Sequence, residues 1–505
     1  MSVRFSLRRS DPLSRSRGAV AAVVAVFLAV FLTGLVAAAV QTASAAGSAV
    51  IRSGVPWYDA SGGLVNAHGA GFFRVGGTYY MVGEKRTGAN VVAYGNEWET
   101  NYVGVECYSS TDLMTWSDQG LALGIGAVGT GIDGTKPVER PKVLYNAATS
   151  TYVMYLHEWS NLNNAGGPYG VATSSSPCSG YVYRGDLKDS AGATVMTGDI
   201  GVFADTNAAG YLLSTNGTIL SLSSDYRTVT GTSASGIFSN SESPAMFKSG
   251  STYFLLSSSQ TWWHSNDNFY ATATSVNGPW TYRGLFAPSG SKTFNSQTTF
   301  VLPVTGSTGT TFVYMGDRWC DKCQLSSTYV WQPLSVSGTT MSIGSFHPQW
   351  SINVSTGTWA DVADNGTSVN DATQGSGTNQ FSYTGSWGHS ACNTGDTCYN
   401  GDNSWTNTTG DTAYFLFSGT QANVYAVVAP NHGLVGASVC DSNRANCGTE
   451  TVFDLYSPTR TGNFLVWSSP VKSAGTYTIK LRTTGSNNFY SSGFYSTIDR
   501  ITVTP

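Results

Sequence analysis

Charged residues are scarce in this chain of 505 residues: only 11% are Asp, Glu, Lys or Arg, and the formal net charge is -4. Recognition of nucleic acid needs clustered Lys and Arg, so this composition argues against nucleic acid as a partner. The 6 histidines form neither an HxxxH nor an HExxH pattern. No Gly-x-Ser-x-Gly elbow and no phosphate-binding glycine loop occurs. The sequence therefore lacks the signatures of metalloproteases, serine hydrolases and nucleotide-binding enzymes.

Aromatic residues and glycine are abundant instead. Aromatic residues make up 12% of the chain, with 14 Trp and 27 Tyr, and there are 58 Gly. Many short strands joined by glycine turns and presenting aromatic side chains would give this balance, and no segment has a helical pattern. Sugar rings stack on such aromatic platforms. An all-β protein with an aromatic core and no sugar site would have the same composition.

The N-terminus has the features of an export signal. Five arginines between residues 4 and 17 precede an apolar run over residues 19–40, and residues 43–45 (ASA) form a small-residue cleavage site. We predict a signal peptide over residues 1–45 and a secreted, extracellular protein that has no contact with the membrane once the signal is removed. The apolar run is long, so an uncleaved membrane anchor is the alternative. The export route stays open.

Eight cysteines, an even number, fit an exported protein with disulfides. Two pairs look like loop staples because they are close in sequence: Cys392 with Cys398, and Cys440 with Cys447. Cys320 and Cys323 could form a metal knuckle, but no second Cys or His pair lies nearby at zinc spacing. We expect a local disulfide there, and the remaining two cysteines, Cys107 and Cys178, could pair across neighbouring strands.

Between residues 46 and 355 one pattern recurs five times: a glycine-containing turn followed by an aromatic and aliphatic strand. Five such units predict a five-bladed β-propeller with about four strands a blade, and an open β-sandwich is the alternative. The strands are expected at residues 77–82, 150–156, 210–213, 250–256 and 311–315.

A low-complexity stretch at residues 351–360 is predicted to be a linker. Beyond it, short strands with period two at residues 412–417, 422–428 and 475–481 predict a jelly-roll β-sandwich over residues 356–505. This second domain either binds carbohydrate or only stabilises the first. The candidate sugar-binding residues in its loops are Trp387, Trp405, His389 and Tyr399.

Four polar residues recur at the same place in successive units of the first domain, at the start of the innermost strand: Glu139, Asp199, Glu242 and Gln297. In a propeller these starts converge on one central channel, so we expect the four side chains to meet in a single pocket. Two carboxylates in a polar cleft are what glycoside hydrolysis uses. Glu242 lies beside a strongly apolar strand, which should raise its pKa as a general acid requires.

The first domain carries a series of motifs at residues 67–73 (AHGAGFF), 78–84 (TYYMVGE), 105–113 (VECYSSTDL), 139–143 (ERPKV), 241–244 (SESP), 295–298 (NSQT), 316–319 (GDRW) and 329–334 (YVWQPL). In this order the motifs resemble glycoside hydrolase family 43, and within it the exo-β-1,3-galactanases. The resemblance covers about residues 55–355.

The resemblance implies a role for each of three carboxylates. Glu242 would be the general acid, Asp199 would tune the proton affinity of Glu242 and orient the sugar, and Glu139 would bind hydroxyls of the terminal galactose. Reactions in this family invert the anomeric configuration.

The chain departs from the common family pattern at the first unit. An aspartate base is typical there, but this sequence has Asn66-Ala-His68. Galactanase-type relatives share the change, and the resemblance implies that Gln297 holds the attacking water in its place. Asp59 and Glu84 lie in the same unit and are substitute candidates.

Aromatic residues near these motifs could stack on galactose, although such residues more often form the core. The candidates are Tyr108, Trp159, Trp262 and Trp263.

The sequence thus predicts a secreted, monomeric hydrolase that releases galactose from β-1,3-galactan, such as the backbone of arabinogalactan. It needs no cofactor, although a structural calcium is allowed for. Two alternatives stay open: an arabinan- or xylan-directed enzyme of the same family, and a lectin-like glycan-binding protein without catalysis, which the missing aspartate base would explain.

Overall fold

The computed structural model describes residues 49–92, 101–124, 126, 132, 138–159 and 166–505 of the chain. Within these ranges the protein is all-β, as the sequence predicts, and its α-helical content is the four-residue segment Lys292–Asn295. The predicted signal peptide, residues 1–45, lies outside the described residues. No helix in the described part of the chain is long and apolar enough to cross a membrane.

In the described ranges up to residue 342, the strands form five sheets, numbered 1 to 5 in chain order after a short first strand. Sheet 1 contains β2–β5, sheet 2 β6–β9 and β11, sheet 3 β10 and β12–β15, sheet 4 β16–β19, and sheet 5 β20–β23. The strands are β1 (Ile51–Arg52), β2 (His68–Val75), β3 (Thr78–Thr87), β4 (Asn101–Ser110), β5 (Ser117–Gly124), β6 (Val138–Asn146), β7 (Thr151–Glu158), β8 (Gly167–Ser174), β9 (Val182–Asp186), β10 (Lys188–Asp189), β11 (Met196–Thr197), β12 (Gly201–Ala204), β13 (Gly210–Ser214), β14 (Thr218–Leu222), β15 (Thr228–Ala234), β16 (Ser241–Ser249), β17 (Thr252–Ser259), β18 (Phe269–Ala273), β19 (Thr281–Leu285), β20 (Gln297–Thr305), β21 (Thr310–Arg318), β22 (Thr328–Ser337) and β23 (Thr340–Ser342).

The five strand patterns found in the sequence are the second strands of the five sheets: β3, β7, β13, β17 and β21. The strands that precede them in each sheet, β2, β6, β12, β16 and β20, contact one another in this order, and β20 contacts β2 again. These five strands, which we call the inner strands, therefore form a closed ring.

The core of this region lies between the sheets. Each of five apolar clusters joins two neighbouring sheets, and one of them joins sheet 5 to sheet 1 through residues such as Phe72 and Trp331. Because most sheets are covered on both faces, their central strands are buried along most of their length, as Thr151–Glu158 is. This double burial explains why the second strands are continuous apolar runs rather than alternating ones.

The chain closes the ring with a small extra sheet. Strand β1 pairs with β24 (Gln349–Asn353), which pairs with β25 (Thr358–Asp361). The prediction of a linker at residues 351–360 is therefore wrong, and the predicted domain boundary at residue 355 falls in the turn between β24 and β25. Trp350 and Ile352 are buried on one face of β24. Their partner strand comes from the beginning of the chain, a pairing that local composition cannot reveal.

The remaining strands form two facing sheets and one small sheet, called the C-terminal sheets below. Their orders are β26-β37-β31-β34, β27-β30-β35-β32-β33 and β28-β29-β36, and an apolar cluster fills the space between the two larger ones. The strands are β26 (Thr367–Asn370), β27 (Gln380–Thr384), β28 (Gly388–Ala391), β29 (Asp402–Thr406), β30 (Thr412–Gly419), β31 (Gln421–Val428), β32 (Leu434–Asp441), β33 (Thr451–Asp454), β34 (Thr461–Ser468), β35 (Gly475–Thr483), β36 (Ser496–Ile498) and β37 (Arg500–Thr504).

All eight cysteines form disulfides in the four predicted pairs. Three bridges close short loops. The fourth, Cys107–Cys178, connects β4 of sheet 1 to the turn after β8 of sheet 2. It cross-links two neighbouring sheets of the ring.

Candidate active site

A cavity of about 390 Å³ lies where the inner strands of the ring begin. Most of the residues singled out in the sequence line it, although their strands are far apart in the chain. Those residues are Glu84, Glu139, Trp159, Asp199, Glu242, Trp262, Trp263 and Gln297. The expectation that the four polar residues of the inner strands meet in one pocket is met by this geometry.

Local irregularities of the inner strands aim these side chains into the cavity. The register of β6 shifts between Glu139 and Lys142, and that of β16 shifts between Glu242 and Ala245. In both strands the residue before a proline has a positive φ: +48° at Arg140 and +56° at Ser243. Such bulges, and such backbone strain, occur where a strand must redirect a functional side chain.

Glu242 is half-buried in the lining of the cavity, and its carboxyl group accepts hydrogen bonds from two donors. Its Oε1 accepts hydrogen bonds from Gln297 Nε2 at 2.9 Å and from the Thr261 backbone N–H at 3.2 Å. Burial, and then the negative charge of Asp199, raise the pKa of Glu242 to about 8, although Arg140 opposes them. The group is therefore protonated at neutral pH and can donate a proton.

Asp199 has the opposite protonation state. Its Oδ2 lies 2.9 Å from Arg140 Nε and accepts a hydrogen bond from Ser243 Oγ at 2.8 Å. Burial alone would raise the pKa of Asp199, but Arg140, His157 and Ser243 outweigh it and hold the pKa below its ordinary value. The pair thus consists of an ionised aspartate and a protonated glutamic acid, joined through Ser243.

Gln297 is the first residue of β20, and every polar atom of its amide is used. Its Oε1 accepts from Arg140 Nη2 at 2.5 Å and from Trp319 Nε1 at 2.9 Å. Its Nε2 donates to Glu242 and, at 3.2 Å, to Ser258 Oγ. An amide has two acceptor positions and two donors, so Gln297 can hold a water only if one of these contacts is exchanged.

Two further carboxyl groups, those of Glu139 and Glu84, line the same cavity. Glu139 Oε2 accepts from Trp159 Nε1 at 2.8 Å, and its Oε1 accepts from Tyr102 at 2.9 Å. Glu84 pairs with Arg86 at 2.8 Å and is only 1% exposed. Burial, despite the charge of Arg86, raises the pKa of Glu84 to about 7. The contact between Trp159 and Glu139 shows that Trp159, a candidate for stacking on galactose, acts as a hydrogen-bond donor to Glu139 in this structure.

Gly69 allows these groups to approach one another. It has a φ of +58°, and a Cβ at this position would lie 2.7 Å from Glu84 Oε1 and 3.2 Å from Arg140 Cα. A side chain here would displace the carboxylate of Glu84.

Several residues of the site were not found from the sequence. Arg140 contacts both Asp199 and Gln297, and Trp319 holds the amide of Gln297. His157 lies 3.6 Å from Glu139 and 3.8 Å from Asp199. The sequence does carry a signal for Arg140, which follows Glu139 directly, and for Trp319, which ends the GDRW motif. Nothing in the local pattern marks His157, since it lies within an apolar strand.

Two sequence interpretations are wrong. Tyr108 does not line the cavity: its side chain is 2% exposed in the core between sheets 1 and 5, and its hydroxyl accepts from the Asn66 backbone N–H at 3.1 Å. It lies on β4, the third strand of its sheet, away from the inner ring. Asp59 is no substitute base, because its carboxylate accepts from Ser61 and Gly63 within an exposed turn.

Two groups of described residues have ligand atoms close enough to hold a metal ion. Cys392, Asp396 and Cys398 do not fit one, because the two cysteines form a disulfide. Glu139, His157 and Asp199 lie in the cavity, but Arg140 already neutralises Asp199. Calcium prefers a shell of oxygen ligands, which a histidine and a neighbouring guanidinium do not provide. Neither group supports a structural calcium.

The C-terminal sheets contain a second cavity, of about 330 Å³. Of the four candidate sugar-binding residues, Trp405 lines it and is 38% exposed. Asn393, Asn403 and Tyr495 lie beside it. Trp387 packs instead against the apolar core, and His389 donates or accepts at Ser404 Oγ, 2.7 Å away. The ring of Tyr399 lies against Arg500.

No protein-family model and no curated protein matches the chain. Solved structures do. An exo-β-1,3-galactanase from Phanerochaete chrysosporium, solved with β-1,3-galactotriose, is 29% identical over 90% of this chain and 99% of that chain, with a TM-score of 0.62. A Bifidobacterium bifidum protein provisionally assigned as an exo-β-1,3-galactanase is 31% identical over 58% of this chain and 95% of that chain, with a TM-score of 0.51. A GH43 β-1,3-galactosidase bound to galactodeoxynojirimycin is 28% identical over 59% of this chain and 99% of that chain, also with a TM-score of 0.51.

Proposed function

We propose that this chain, which belongs to glycoside hydrolase family 43, is an exo-β-1,3-galactanase that removes galactose from the non-reducing end of β-1,3-galactan. That it is a glycoside hydrolase follows from its likeness to the galactanase structures. The choice of substrate is supported by the neighbour that was solved with β-1,3-galactotriose.

One observation carries the proposal: a protonated Glu242 and an ionised Asp199 lie together in the pocket. Glu242 donates its proton to the glycosidic oxygen as the bond to the anomeric carbon breaks. Asp199 helps to keep Glu242 protonated and fixes Arg140. Glu139, held by Trp159 and Tyr102, faces the cavity with a carboxylate that can accept hydrogen bonds from sugar hydroxyls.

We assign an inverting mechanism, in which water attacks the anomeric carbon from the face opposite the acid and releases its proton to solvent, from which Glu242 is protonated again. The first residues of β2 are not acidic, and Asn66, which precedes the strand, donates to the backbone of Arg86. Asp317 of β21 contacts His68 and accepts from the Gly69 N–H. The resemblance assigns the water side to Gln297, and this role requires the amide to exchange its 2.9 Å contact with Glu242, because the water attacks opposite the acid. In the free enzyme, its hydrogen bond to Glu242 fixes the acid.

The shape of the cavity favours attack at a chain end. Its bottom is formed by buried side chains, Glu84 at 1% and Gln297 at 2% exposure, whereas Trp262 at its rim is 62% exposed. We propose that a pocket of this size accepts a terminal sugar and leaves the rest of the polymer outside.

We interpret sheets 1 to 5 as the blades of a five-bladed β-propeller, supported by the closed ring of inner strands. The C-terminal sheets are proposed to be a jelly-roll module that binds carbohydrate through the cavity beside Trp405 and keeps the enzyme on the polymer. The protein is proposed to be secreted and monomeric, and the acid–base chemistry requires no cofactor.

A comparison of three polymers tests the proposal. The purified protein is incubated with β-1,3-galactan, arabinan and xylan, and the released sugars are identified together with the anomer first formed. Galactose from the first polymer, formed with inverted configuration, is the expected result. Release of arabinose or xylose would show that arabinan or xylan, and not galactan, is the substrate. Binding without release would identify the chain as a lectin-like protein.

A further inference from the structure

The loop between β17 and β18, residues 260–266, forms one wall of the catalytic cavity through Gln260, Trp262 and Trp263. The same loop donates the Thr261 backbone N–H to the carboxyl of Glu242. Two contacts inside the loop fix Thr261: its hydroxyl donates to the His264 carbonyl, and Asn266 Nδ2 donates to that hydroxyl at 2.7 Å. Because Trp262 has a φ of +56°, the loop is strained and must be held from outside.

One contact from outside comes from Asp321, whose Oδ2 lies 3.8 Å from His264 Nε2, and others come from the C-terminal part of the chain. Phe489, in the segment between β35 and β36, stacks on His264 with 3.9 Å between ring centroids and 15° between planes. The ring of Tyr490 meets His264 edge-on at 5.4 Å, and its hydroxyl donates to the Ser265 carbonyl at 3.3 Å. Two adjacent residues of the second domain thus cover the outer side of a catalytic loop.

Tyr490 also contacts the segment that precedes Gln297. All four residues of Lys292–Asn295 have positive φ, between 52° and 57°, an unusual left-handed turn for residues other than glycine. Lys292 Nζ lies 3.0 Å from the centroid of the Tyr490 ring and donates to Tyr456 Oη at 3.4 Å. The backbone N–H of Lys292 donates to Asp267 Oδ1 at 2.7 Å, which joins the two segments.

We propose that Phe489 and Tyr490 are positioning residues for catalysis: they hold the pocket wall and the turn before Gln297, so that Glu242 and Gln297 keep their relative placement. The C-terminal sheets therefore contribute to the chemical step itself, in addition to any binding of polymer. This inference goes beyond the proposed substrate, because it concerns the geometry of the pocket for whichever sugar is bound.

A short substrate separates positioning from attachment to the polymer. β-1,3-Galactobiose offers no polymer to attach to, so C-terminal sheets that only anchored the enzyme on the polymer would not affect its hydrolysis. We expect Phe489→Ala to lower kcat on this disaccharide about 2- to 10-fold, the range that an aromatic contact commonly contributes. Phe489→Tyr, which retains a stacked ring, should restore most of it, and Tyr490→Phe, which loses only the hydroxyl, should have a smaller effect.

Amide hydrogen exchange provides a readout that does not depend on activity. Exchange at residues 260–266 and 292–297 should be faster in Phe489→Ala than in the unchanged chain, at equal Tm. The matched control is Tyr282→Ala, which removes a 59% exposed aromatic ring on β19 that packs on Phe238 and Phe269, outside the residues that line the cavity. It should alter neither exchange in these segments nor kcat.

Three outcomes would overturn the inference: unchanged exchange in both segments, faster exchange with an unchanged kcat, or no recovery in Phe489→Tyr. If the unchanged protein does not cleave galactobiose, the proposed substrate is wrong. The exchange experiment still decides whether Phe489 holds the loop.

Discussion

The two cavities of this protein are similar in size but differ in charge. The cavity of the ring, about 390 Å³, is lined by Glu84, Glu139, Asp199 and Glu242 with Arg140 among them. The cavity of the C-terminal sheets, about 330 Å³, is lined by amides, hydroxyls and Trp405, and the described residues that line it include no carboxylate. Its arginine, Arg460, is paired with Asp396 at 2.8 Å.

This difference separates binding from catalysis. Burial lowers the pKa of His432 to about 4, so the second cavity has a neutral imidazole and no group ready to donate a proton at neutral pH. In the first cavity, burial and neighbouring charges divide the carboxyl groups into a proton donor and an ionised partner. A sugar can be held by an aromatic ring and neutral polar groups, but cleaving it needs groups whose pKa values are driven apart.

Glu242→Gln should have the largest effect, because it removes the proton donor that distinguishes the first cavity from the second. Loss of the acid is expected to lower kcat on galactan about 10²- to 10⁴-fold, since the amide cannot protonate the leaving oxygen. An aryl galactoside with an activated leaving group needs no protonation and should recover much of the rate. Glu450→Gln, in a salt bridge with Arg482 of the C-terminal sheets, is the control. Full activity of the Glu242 variant on galactan would exclude it as the acid.

Gln297→Ala should give the next largest effect, about 10²-fold in kcat, the cost reported for removing one positioned donor from an active site. The defect should persist with an activated leaving group if the glutamine serves the water side. Gln119→Ala, at an exposed position on β5, is the control. Recovery of the rate with the activated substrate would instead limit Gln297 to fixing Glu242.

Asp199→Asn should shift the pH profile. Activity needs protonated Glu242, so kcat/KM of the unchanged enzyme should fall as the pH rises through about 8. Without the charge of Asp199 the pKa of Glu242 decreases, and the fall should begin at lower pH. Asp205→Asn, which alters a contact with Lys248 and Tyr253, should leave the profile in place. A shift to higher pH would contradict the assignment.

Trp405→Ala should have the smallest effect and should act on binding. We expect about 2- to 10-fold weaker retention on insoluble galactan, the range of one aromatic contact, with unchanged kcat on the disaccharide. Trp359→Ala removes an equally exposed tryptophan, at 38%, and should not change retention. Equal retention of both variants would show that the second cavity does not bind the polymer.

The sequence predicts the second strands of the ring and the meeting of four polar residues because both depend on patterns that repeat in every unit. A glycine turn followed by aromatic and aliphatic residues identifies β3 or β17 without knowledge of the rest. The position of Glu242 relative to its strand is equally local. The disulfides of Cys392 and Cys440 were predictable because their partners are close in sequence.

Features that depend on distant contacts could not be predicted. The positive φ of Arg140 turns its side chain between Asp199 and Gln297, and no local pattern indicates that turn. Tyr108 lies in an aromatic strand like those near the site, but only the fold shows that its strand is the third of its sheet. The composition of β24 predicts a linker, because the partner that makes it a strand, Ile51, lies about 300 residues earlier in the chain.

The pairing of Ile51 with Trp350 joins the beginning of the ring region to its end. The relative positions of the catalytic groups therefore depend on this junction as well as on the individual sheets. If heat opened the molecule there, each sheet would retain its own hydrogen bonds while Gln297 of the fifth and Glu84 of the first moved apart. Thermal inactivation is therefore expected to precede the loss of β-structure, and tightening this junction would extend the working temperature without any change to the chemistry.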